Sequence, residues 1–417
     1  MPRYKFKARP FEEVTKLILD AFDSRSSKIV VPVVDSLGYV LAEDIVSDRD
    51  LPPYDIAFYD GYAVRSEDTA GASASNPIKL KLVGRVFSEK DHGKFKVDKG
   101  CAVYVSSNSP IPEGANAIVR IEYTEEKDNE VLIKKEVEPE QDMILKGDDI
   151  RKGELILSEG RFIRPQDIAL LLELGILRIR VYRKPRVGIM AIGNELLERM
   201  NRGIVYPDNY SVFIAKSLEL LGAEPHHLGI VSDNIDEIKA KVLDNIHIYD
   251  MMLLVAGASI GLNDYTGRSL EEIGEVIFHG TNLSPGKVSG LVKIENKPVF
   301  LVPGHVGSAI SCLYNFVYPL ISKMFFDSAK LLPVVYAELT SDVDVKKGSY
   351  TFRTVALKWK DGKIYATPHI KKLGGSTLLT IFTEAQGYIL VPPKTEAKKG
   401  DIIKVTLFSN MESLNIS

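Results

Sequence analysis

The apolar run from Met251 to Val255 leads into the stretch Val255-Ala256-Gly257-Ala258-Ser259-Ile260-Gly261-Leu262-Asn263-Asp264-Tyr265. The apolar run predicts a buried strand, after which the chain passes into small residues that include two glycines and a serine. Parallel strands of α/β domains end in this way where a ligand approaches the backbone closely. The sequence therefore predicts an α/β domain with a ligand site at the end of this strand.

Two other apolar runs end in the same manner. Residues 186–190 lead into Ala191-Ile192-Gly193-Asn194-Glu195, and residues 299–302 lead into Pro303-Gly304-His305-Val306-Gly307. Ligands of such sheets bind beyond the carboxyl ends of the strands. We therefore expect these three glycine-bearing strand ends to lie together at one edge of the sheet.

Strands and helices alternate over residues 181–328. The predicted strands are 186–191, 226–231, 251–256 and 298–302, and the predicted helices are 210–221, 235–245, one near Ser269, and 308–324. Such alternation is typical of a parallel sheet with helices on both faces. The fold class predicted here is therefore a three-layer α/β domain within a multidomain chain.

The flanking segments have other patterns. Pro10 and two glutamates open a helix with one apolar face, and a second helix at 168–174 ends at Gly175. Residues 47–149 contain alternating strands separated by polar turns, which predicts a small β domain. From about residue 330 the chain is again rich in strands, and Asp361-Gly362 predicts a hairpin.

Composition limits the function classes. The chain has 417 residues, a net charge of −3 and 26% charged residues, which argues against nucleic-acid binding driven by general electrostatics. It has two cysteines, Cys101 and Cys312, no apolar run of about 18 residues and no signal-like amino terminus. We expect a cytoplasmic protein with no membrane partner and with both thiols packed rather than reactive. The histidines have no metal-ligand spacing.

Three carboxylates each follow a predicted strand of the α/β region: Glu195, Asp233 and Asp264. Carboxylates gathered at one sheet edge indicate a cation, because unpaired like charges repel. In the absence of calcium-loop or zinc spacing, Mg²⁺ bridging a phosphate is the expected metal. The alternative is that each residue caps a helix, and Asp233 is expected to cap the helix that begins at Ile235.

Other segments are candidates for anion binding. The loop from Pro303 to Ser308 precedes a helix, so its free N–H groups can bind an anion, although an ordinary β-to-α turn has the same pattern. His305 fits a hydrogen-bonding role better than a catalytic one. Lys287, beside Pro285 and Gly286, can hold an oxyanion as a point charge, or it can be a solvated surface lysine.

Asp60 lies in an aromatic loop, Phe58-Tyr59-Asp60-Gly61-Tyr62, that precedes the predicted β domain. Such a loop, with a second carboxylate at Asp55, is unusual for a linker. Turn formation at Asp60-Gly61 is the competing explanation.

These motifs together resemble the MoeA family, the molybdopterin molybdenumtransferases or molybdenum insertases, which are related to the E domain of gephyrin. The family patterns PPxDxSxMDGYAVR, TGAPLPxGADAVV, TGNEL, GGxSxGxxDY, KPGKP and PGNPxSA correspond to residues 52–65, 107–119, 192–196, 256–265, 284–288 and 303–309. The resemblance runs in order from about residue 8 to 410.

The resemblance implies a homodimer and four domains. They are an elongated helical or mixed dimerisation domain at 1–46 and 150–180, a β domain at 47–149 carrying the Asp60 loop, a MoaB/MogA-like molybdopterin-binding α/β domain at 181–328, and a C-terminal β-barrel-like domain at 329–417. It also implies that the α/β domain of one subunit faces the Asp60 domain of the other.

The implied reaction is insertion of molybdate or tungstate into adenylylated molybdopterin, with Mg²⁺-dependent release of AMP. The implied catalytic residues are Asp60, Glu195, Asp233 and Asp264, with Mg²⁺ held by Asp264 and Glu195. The implied cofactor-binding residues are Ser107, Asn209, Gly257, Ser259, Gly261, Lys287, Pro303, Gly304, His305 and Ser308. The implied partners are a MoaB/MogA-type adenylyltransferase and apo-molybdoenzymes or apo-tungstoenzymes.

The chain departs from the family patterns at its anion-binding positions. Ile56 and Ala57 replace an asparagine and a serine, Ser107 and Asn108 replace a threonine and a glycine, Ser284 replaces the first lysine of KPGKP, and His305-Val306 replaces Asn-Pro. The four acidic residues of the family pattern, Asp60, Glu195, Asp233 and Asp264, are retained, whereas residues in the anion-binding segments are replaced. We interpret the chain as a divergent member that binds the pterin nucleotide with altered oxoanion handling or reduced turnover.

Two other functions fit the sequence. A non-catalytic member could serve as a cofactor-binding or clustering scaffold, and it would tolerate Asp60→Asn and Asp264→Asn. An adenylyltransferase acting on molybdopterin with ATP would follow if only the MoaB/MogA likeness mattered. The additional domains and the Asp60 segment favour the insertase.

Overall fold

The computed structural model describes residues 8–22, 26–257, 265–326, 332–369, 379–408 and 415–416. Contacts divide the chain into two compact units. We call Val31–Leu37 with Leu41–Arg180 the β unit, and Met1–Val30, Gly38–Val40 and Val181–Ser417 the α/β unit.

The described residues up to 182 form two α-helices and thirteen strands, with short 3-10 turns between some of them. The helices are α1 (Phe11–Asp20) and α2 (Pro165–Glu173). The strands are β1 (Lys28–Pro32), β2 (Val40–Leu41), β3 (Ile45–Val46), β4 (Ile56–Ala57), β5 (Gly61–Val64), β6 (Ile78–Val86), β7 (Cys101–Val105), β8 (Ala117–Arg120), β9 (Thr124–Lys127), β10 (Glu130–Ile133), β11 (Met143–Ile144), β12 (Leu155–Leu157) and β13 (Arg178–Tyr182).

The elements after residue 182 alternate and then become mostly strands. The helices are α3 (Asn194–Asn201), α4 (Asn209–Leu220), α5 (Ile235–Asn245), α6 (Tyr265–Glu271), α7 (Val306–Cys312), α8 (Tyr318–Phe326) and α9 (Thr380–Thr383). The strands are β14 (Arg186–Ile192), β15 (Glu224–Val231), β16 (Met251–Val255), β17 (Glu275–His279), β18 (Leu283–Ser284), β19 (Gly290–Ile294), β20 (Lys297–Val302), β21 (Val334–Leu339), β22 (Tyr350–Lys360), β23 (Lys363–Pro368), β24 (Gly387–Val391), β25 (Ile402–Leu407) and β26 (Asn415–Ile416).

A six-stranded sheet forms the body of the β unit, in the order β8-β5-β7-β6-β10-β9. The two alternating runs that predicted strands here are neighbours, since β6 pairs antiparallel with β10 and Leu80 lies opposite Val131. Both of these side chains are buried in one apolar cluster with Tyr62 and Val119. The predicted β character of residues 47–149 is therefore confirmed.

Helix α2 ends as its sequence predicts. Gly175 has φ 74°, and its N–H donates to the Leu172 carbonyl while the Ile176 N–H donates to the Leu171 carbonyl. A residue with positive φ at this position lets the last carbonyls find partners, and glycine adopts that conformation without a Cβ penalty.

The sheet of the α/β unit has the order β15-β14-β16-β20-β19-β17. Strands β15, β14, β16 and β20 run parallel, as predicted, but β19 and β17 are antiparallel to their neighbours. Glu295 and Asn296 both have positive φ, 47° and 66°, so they form a tight turn that folds β19 back onto β20. The four predicted strands are therefore parallel, as expected, and β19 and β17, which were not among them, add an antiparallel edge.

Helices cover the apolar strands of this sheet and complete the predicted α/β domain. Buried side chains from the strands, such as Met190 and Leu254, pack with Ile238 of α5 and Leu270 of α6. The single helix expected at 308–324 consists of α7, a π-helical turn at Leu313–Val317, and α8. Helix α3 was not expected.

Helix α1 packs within the α/β unit. Its Val14 and Ile18 are buried, and Lys323 on α8 donates to the carbonyls of Leu19 and Phe22 at 2.6 and 2.8 Å. A cation at these carbonyls satisfies groups that have no partner within the helix and interacts favourably with the helix dipole.

The C-terminal strands form a closed ring. Strand β22 pairs with β23, β23 with β21, β21 with β25, β25 with β24, and β24 again with β22. Asp361 and Gly362, both with positive φ, form the predicted hairpin turn between β22 and β23, where Lys360 pairs with Lys363. The expectation of a β-barrel-like C-terminal domain is confirmed. Across the described ranges, no helix is long and apolar enough to cross a membrane.

Candidate functional site

The three glycine-bearing strand ends lie side by side, as predicted. In the parallel register Ala191 of β14 pairs with Val255 of β16, and Val255 pairs with Val302 of β20. The Gly193 N–H extends the edge by donating to the Val231 carbonyl of β15 at 3.0 Å. Four carboxyl ends therefore form one edge of the sheet, where open α/β sheets bind their ligands.

Two glycines at this edge are required by close packing. A Cβ on Gly257, which has φ 66°, would lie 2.3 Å from Thr266 Oγ1, and a Cβ on Gly304 would lie 2.9 Å from the Ala256 Cβ. Neither distance fits a normal contact between heavy atoms. These glycines therefore let the ends of β16 and β20 and the start of α6 approach each other.

Glu195 lies in the first turn of α3, directly after β14. Its carboxylate folds back over Gly193, since a Cβ on Gly193 would lie 2.6 Å from Glu195 Oε1. The residue is exposed. A negative charge is favoured near a helix amino terminus, and an exposed carboxylate at the sheet edge is able to bind a cation.

Asp233 is held at the same edge by Asn194. The Asn194 N–H donates to Asp233 Oδ2 at 3.0 Å, and the Asp233 N–H donates to Asn194 Oδ1 at 3.2 Å. The expectation that Asp233 caps the helix beginning at Ile235 was wrong, because Asn234 accepts from the N–H groups of Asp236 and Glu237. Asp233 instead satisfies an N–H at the start of α3, and sequence reasoning missed Asn194 as its partner.

Three predicted site residues, Ser259, Gly261 and Asp264, lie outside the described residues. Within the described ranges, no group of three or more His, Cys, Asp or Glu side chains is placed to hold a metal ion. Glu195 and Asp233 are the predicted carboxylates that the structure describes at the sheet edge.

Two helices begin at this edge. Helix α7 follows β20 after Pro303, Gly304 and His305, and the His305 carbonyl accepts from the N–H groups of Ser308 and Ala309. His305 is exposed, Ser308 is half-buried and Pro303 is buried.

Helix α4 begins at the exposed Asn209, and Asp208 caps it by accepting from the Ser211 N–H at 3.1 Å. Because α4 leads into β15, which runs parallel to β14, the amino end of α4 lies at this edge too.

Lys287 lies in a loop that follows β18. The Lys287 carbonyl accepts from the Thr281 N–H at 3.0 Å, and the side chain is exposed. The loop packs on α7, because a Cβ on Gly286 would lie 3.3 Å from Ser311 Oγ. Ser311 lies near the end of α7, whereas His305 precedes its beginning. The Lys287 loop therefore contacts the opposite end of α7 from His305.

The Asp60 loop belongs to the β unit, where it is held against Ser107. The Ser107 N–H donates to Asp60 Oδ1 at 2.6 Å, and Ser107 Oγ donates to the Phe58 carbonyl at 3.0 Å. Both Asp60 and Ser107 are exposed. The structure thus brings together these two predicted residues, which are far apart in sequence.

Sequence reasoning missed an ion pair at the base of this loop. Arg120 donates two hydrogen bonds to Asp142 at 2.8 and 2.6 Å, and its guanidinium lies 3.8 Å from the centroid of the Tyr59 ring. The hydrogen bond from Arg120 lowers the pKa of Asp142. Because the Phe58 N–H donates to the Asp142 carbonyl at 2.9 Å, this pair fixes the aromatic part of the loop.

Two of the residues that depart from the family pattern, Ile56 and Ala57, form a short strand. This strand, β4, pairs with β11. The Ala57 carbonyl also accepts a hydrogen bond from the Asn108 N–H at 2.7 Å. Their backbone groups therefore help to place the segment that carries Ser107.

Comparison with protein families matches nearly the whole chain. Residues 9–175 match the MoeA N-terminal region (domain I and II), residues 188–323 match a probable molybdopterin binding domain, and residues 336–408 match the MoeA C-terminal region (domain IV).

Individual relatives match over similar lengths. A molybdopterin molybdenumtransferase of Bacillus subtilis (strain 168) is 30% identical over 411 residues, which cover 95% of this chain and 94% of the relative. A putative molybdopterin biosynthesis protein of Methanocaldococcus jannaschii is 29% identical over 95% of this chain and 98% of its own. The crystal structure of the molybdopterin biosynthesis MoeA protein from Pyrococcus horikoshii OT3 aligns with a TM-score of 0.81 and 30% identity, covering 96% of this chain and 100% of that one.

Proposed function

This chain belongs to the MoeA family, and from this premise we propose that it is a molybdopterin molybdenumtransferase of molybdenum cofactor biosynthesis. Its substrates are adenylylated molybdopterin and molybdate or tungstate. The metal of the oxoanion is transferred to the dithiolene of the pterin, and AMP is released.

The observation that carries this proposal is the arrangement at the sheet edge. Glu195 and Asp233 lie beyond adjacent parallel strands, beside loops with backbone N–H groups and next to the start of α4 and α7. Release of AMP requires charge neutralisation and positioning around a phosphoanhydride. Carboxylates that hold a cation, together with anion-binding loops, meet that requirement.

The two carboxylates that the structure describes at this edge, Glu195 and Asp233, are of the chemical type that Mg²⁺ prefers, and the ion retains several waters. Glu195 and Asp264 would hold the ion, with Asp233 near Glu195 through its hydrogen bonds with Asn194. When bound, Mg²⁺ would neutralise negative charge on the phosphate. Asp233 keeps the start of α3 in place, and the carboxylate of Glu195 remains exposed for the ion.

The anion-binding positions orient the substrates. Lys287 contributes a positive charge. In the loop of Pro303, Gly304, His305 and Ser308, the N–H groups of Gly304 and His305 and the side chains of His305 and Ser308 donate hydrogen bonds to anionic groups of the pterin or the oxoanion. Asn209 and Gly257 lie at the same sheet edge, and we assign Ser259 and Gly261 to binding of the same substrates. Asp60 and Ser107 of the β unit act in the same reaction.

The wider context follows from the same premise. We propose a homodimer in which residues 1–46 and 150–180 form the dimerisation domain. The protein takes its nucleotide substrate from a MoaB/MogA-type adenylyltransferase and delivers cofactor to apo-molybdoenzymes or apo-tungstoenzymes. Both cysteines are free thiols in the structure, which agrees with a reducing cytoplasm.

The test is incubation of the protein with adenylylated molybdopterin and Mg²⁺, with and without molybdate or tungstate, followed by quantification of AMP. The proposal predicts AMP release that depends on an oxoanion. The replacement of lysine by Ser284 favours one alternative, a cofactor-binding scaffold, which would bind the nucleotide without releasing AMP. Adenylylation of molybdopterin with ATP would identify an adenylyltransferase instead.

A further inference from the structure

The loop that carries Lys287 is closed at its base by hydrogen bonds. The Gly280 N–H donates to the Ser289 carbonyl at 2.9 Å, and the Thr281 N–H donates to the Lys287 carbonyl at 3.0 Å. Ser289 Oγ donates to the Gly286 carbonyl at 2.8 Å. The position of Lys287 therefore depends on where residues 280–282 are held.

Asn282 attaches this base to two other segments of the α/β unit. Its N–H donates to the Arg9 carbonyl at 2.9 Å, and its carbonyl accepts from the Tyr350 N–H at 2.9 Å. Its side-chain Oδ1 accepts from the Phe11 N–H at 2.8 Å. One residue thus connects the loop to the start of α1 and to β22 of the C-terminal ring.

The residue type at position 282 matters because of the helix terminus that it contacts. The Phe11 N–H lies in the first turn of α1, where N–H groups have no carbonyl partner within the helix. Pro10 occupies the N-cap position and provides no side-chain cap. Asn282 supplies the acceptor from a distant part of the chain, whereas its two backbone bonds could be made by other residue types.

The two segments that Asn282 contacts are also joined to each other. The Phe11 and Tyr350 ring centroids are 4.9 Å apart, and Tyr350 Oη donates to Glu12 Oε1. Next to Asn282, Leu283 of β18 pairs with Tyr350 of β22. The base of the Lys287 loop is therefore attached to two segments that also contact each other.

We propose that Asn282 is a positioning residue for Lys287, which fixes the place of the Lys287 ammonium relative to the anionic substrate by joining the loop base to α1 and β22. This inference rests on the proposed function and takes the oxoanion as the anionic group that Lys287 holds. Loss of the Asn282 side chain leaves Lys287 in the chain but lets its loop shift, and small misplacements of a binding group weaken its interaction strongly.

The experiment compares four variants of the full-length protein in the AMP-release assay, with molybdate concentration varied. Asn282→Ala removes the acceptor. Asn282→Asp retains it and adds a charge that is favourable near a helix amino terminus. Lys287→Ala removes the cation itself. Lys297→Met is the stability control, because Lys297 Nζ donates to the carbonyls of Ile246, His247 and Tyr249, away from the loop.

For Asn282→Ala we expect the KM for molybdate to rise about tenfold, with kcat within about twofold of the unaltered protein. Asn282→Asp should restore a KM within about twofold of the unaltered value. Lys297→Met should lower the Tm and leave the KM unchanged, and Lys287→Ala should raise the KM at least as much as Asn282→Ala.

Three results would overturn the inference, and they have different meanings. If Asn282→Ala lowers only the Tm while Lys287→Ala raises the KM, Asn282 is structural and the proposed function stands. If Lys287→Ala leaves the KM unchanged, the anion role of the loop is wrong and the inference fails with it. If the unaltered protein releases no AMP, the proposed function fails, and so does the inference that rests on it.

Discussion

The carboxylate of Asp60 is fixed by the backbone of Ser107. Asp60 Oδ1 accepts from the Ser107 N–H at 2.6 Å, and the Ser107 hydroxyl donates to the Phe58 carbonyl at 3.0 Å. These two hydrogen bonds hold the segment from Phe58 to Asp60 against Ser107. Asp60 is nevertheless exposed, so its charge is held in a defined position and remains accessible from solvent.

Replacing Asp60 by Asn should reduce AMP release about 100-fold or more, because an oriented charge at a reaction site is worth several kcal/mol. The amide retains an oxygen that accepts from the Ser107 N–H, so the loop should keep its structure. The measurement is kcat/KM together with the Tm. Glu122→Gln, which removes another exposed carboxylate of the β unit, is the control and should leave kcat/KM unchanged. Equal activities in the two variants would exclude a catalytic role for Asp60.

Two substitutions at Asp233 should separate its structural role from its chemical role. Asp233→Asn retains an acceptor for the Asn194 N–H, so thermal stability should be preserved while AMP release falls. Asp233→Ala removes the acceptor and should also lower the free energy of unfolding by about 1 kcal/mol, as loss of a helix cap does. Full activity in Asp233→Asn would mean that this residue only holds the start of α3.

Gly304 and Ala256 should show energetic coupling. Gly304→Ala places a Cβ 2.9 Å from the Ala256 Cβ and should destabilise the protein by about 1–3 kcal/mol. Ala256→Gly removes that contact and also removes the strain of a Cβ-bearing residue at a positive φ of 71°. The double variant should therefore be more stable than Gly304→Ala alone. Chemical denaturation of the two single variants and the double variant measures the coupling free energy. Additive effects would contradict the close approach of these strand ends.

Asp167 should make stability depend on pH at the acidic end. Burial raises the pKa of this carboxyl, but hydrogen bonds from Arg164 and Arg161 outweigh it and lower the pKa to about 2, below its usual value of 3.8. The stabilisation is present above about pH 4 and is lost as the pH falls toward 2, and it amounts to about 2 kcal/mol.

The measurement is urea denaturation of the unaltered protein and of Asp167→Asn between pH 7 and pH 2. The difference between their free energies of unfolding should be constant above about pH 4 and should shrink below it. A difference that is independent of pH over the whole range would contradict the depressed pKa.

Strong local patterns allowed much of the fold to be predicted. The apolar runs at β14, β16 and β20, the glycine after α2 and the Asp361-Gly362 turn each specify a structure over a few residues. The antiparallel β19 was missed because its turn, Glu295-Asn296, lacks the glycine that usually indicates a tight turn. Helix α3 was missed although Leu196, Leu197 and Met200 lie on one face, because its eight residues, Asn194–Asn201, are too few to establish a helical period in the sequence.

Site residues that belong to a local sequence motif could be predicted. Site residues whose role depends on a contact with a distant part of the chain could not. The carboxylates Glu195 and Asp233 follow strands and were found from that position alone. The partner of Asp233, Asn194, is 39 positions away in sequence, and Asn282 bonds to Phe11 across 271 positions. No local pattern reveals such pairs, because they depend on how strands are ordered and how α1 packs.

The central claim is tested most directly by AMP release from adenylylated molybdopterin, with Mg²⁺ and with or without molybdate or tungstate, for the unaltered protein and Asp60→Asn. We predict that the unaltered protein releases AMP only when an oxoanion is present, and that Asp60→Asn reduces this release about 100-fold or more. Tight binding of the nucleotide with no AMP release under any condition would contradict the account and would identify a binding or scaffold protein.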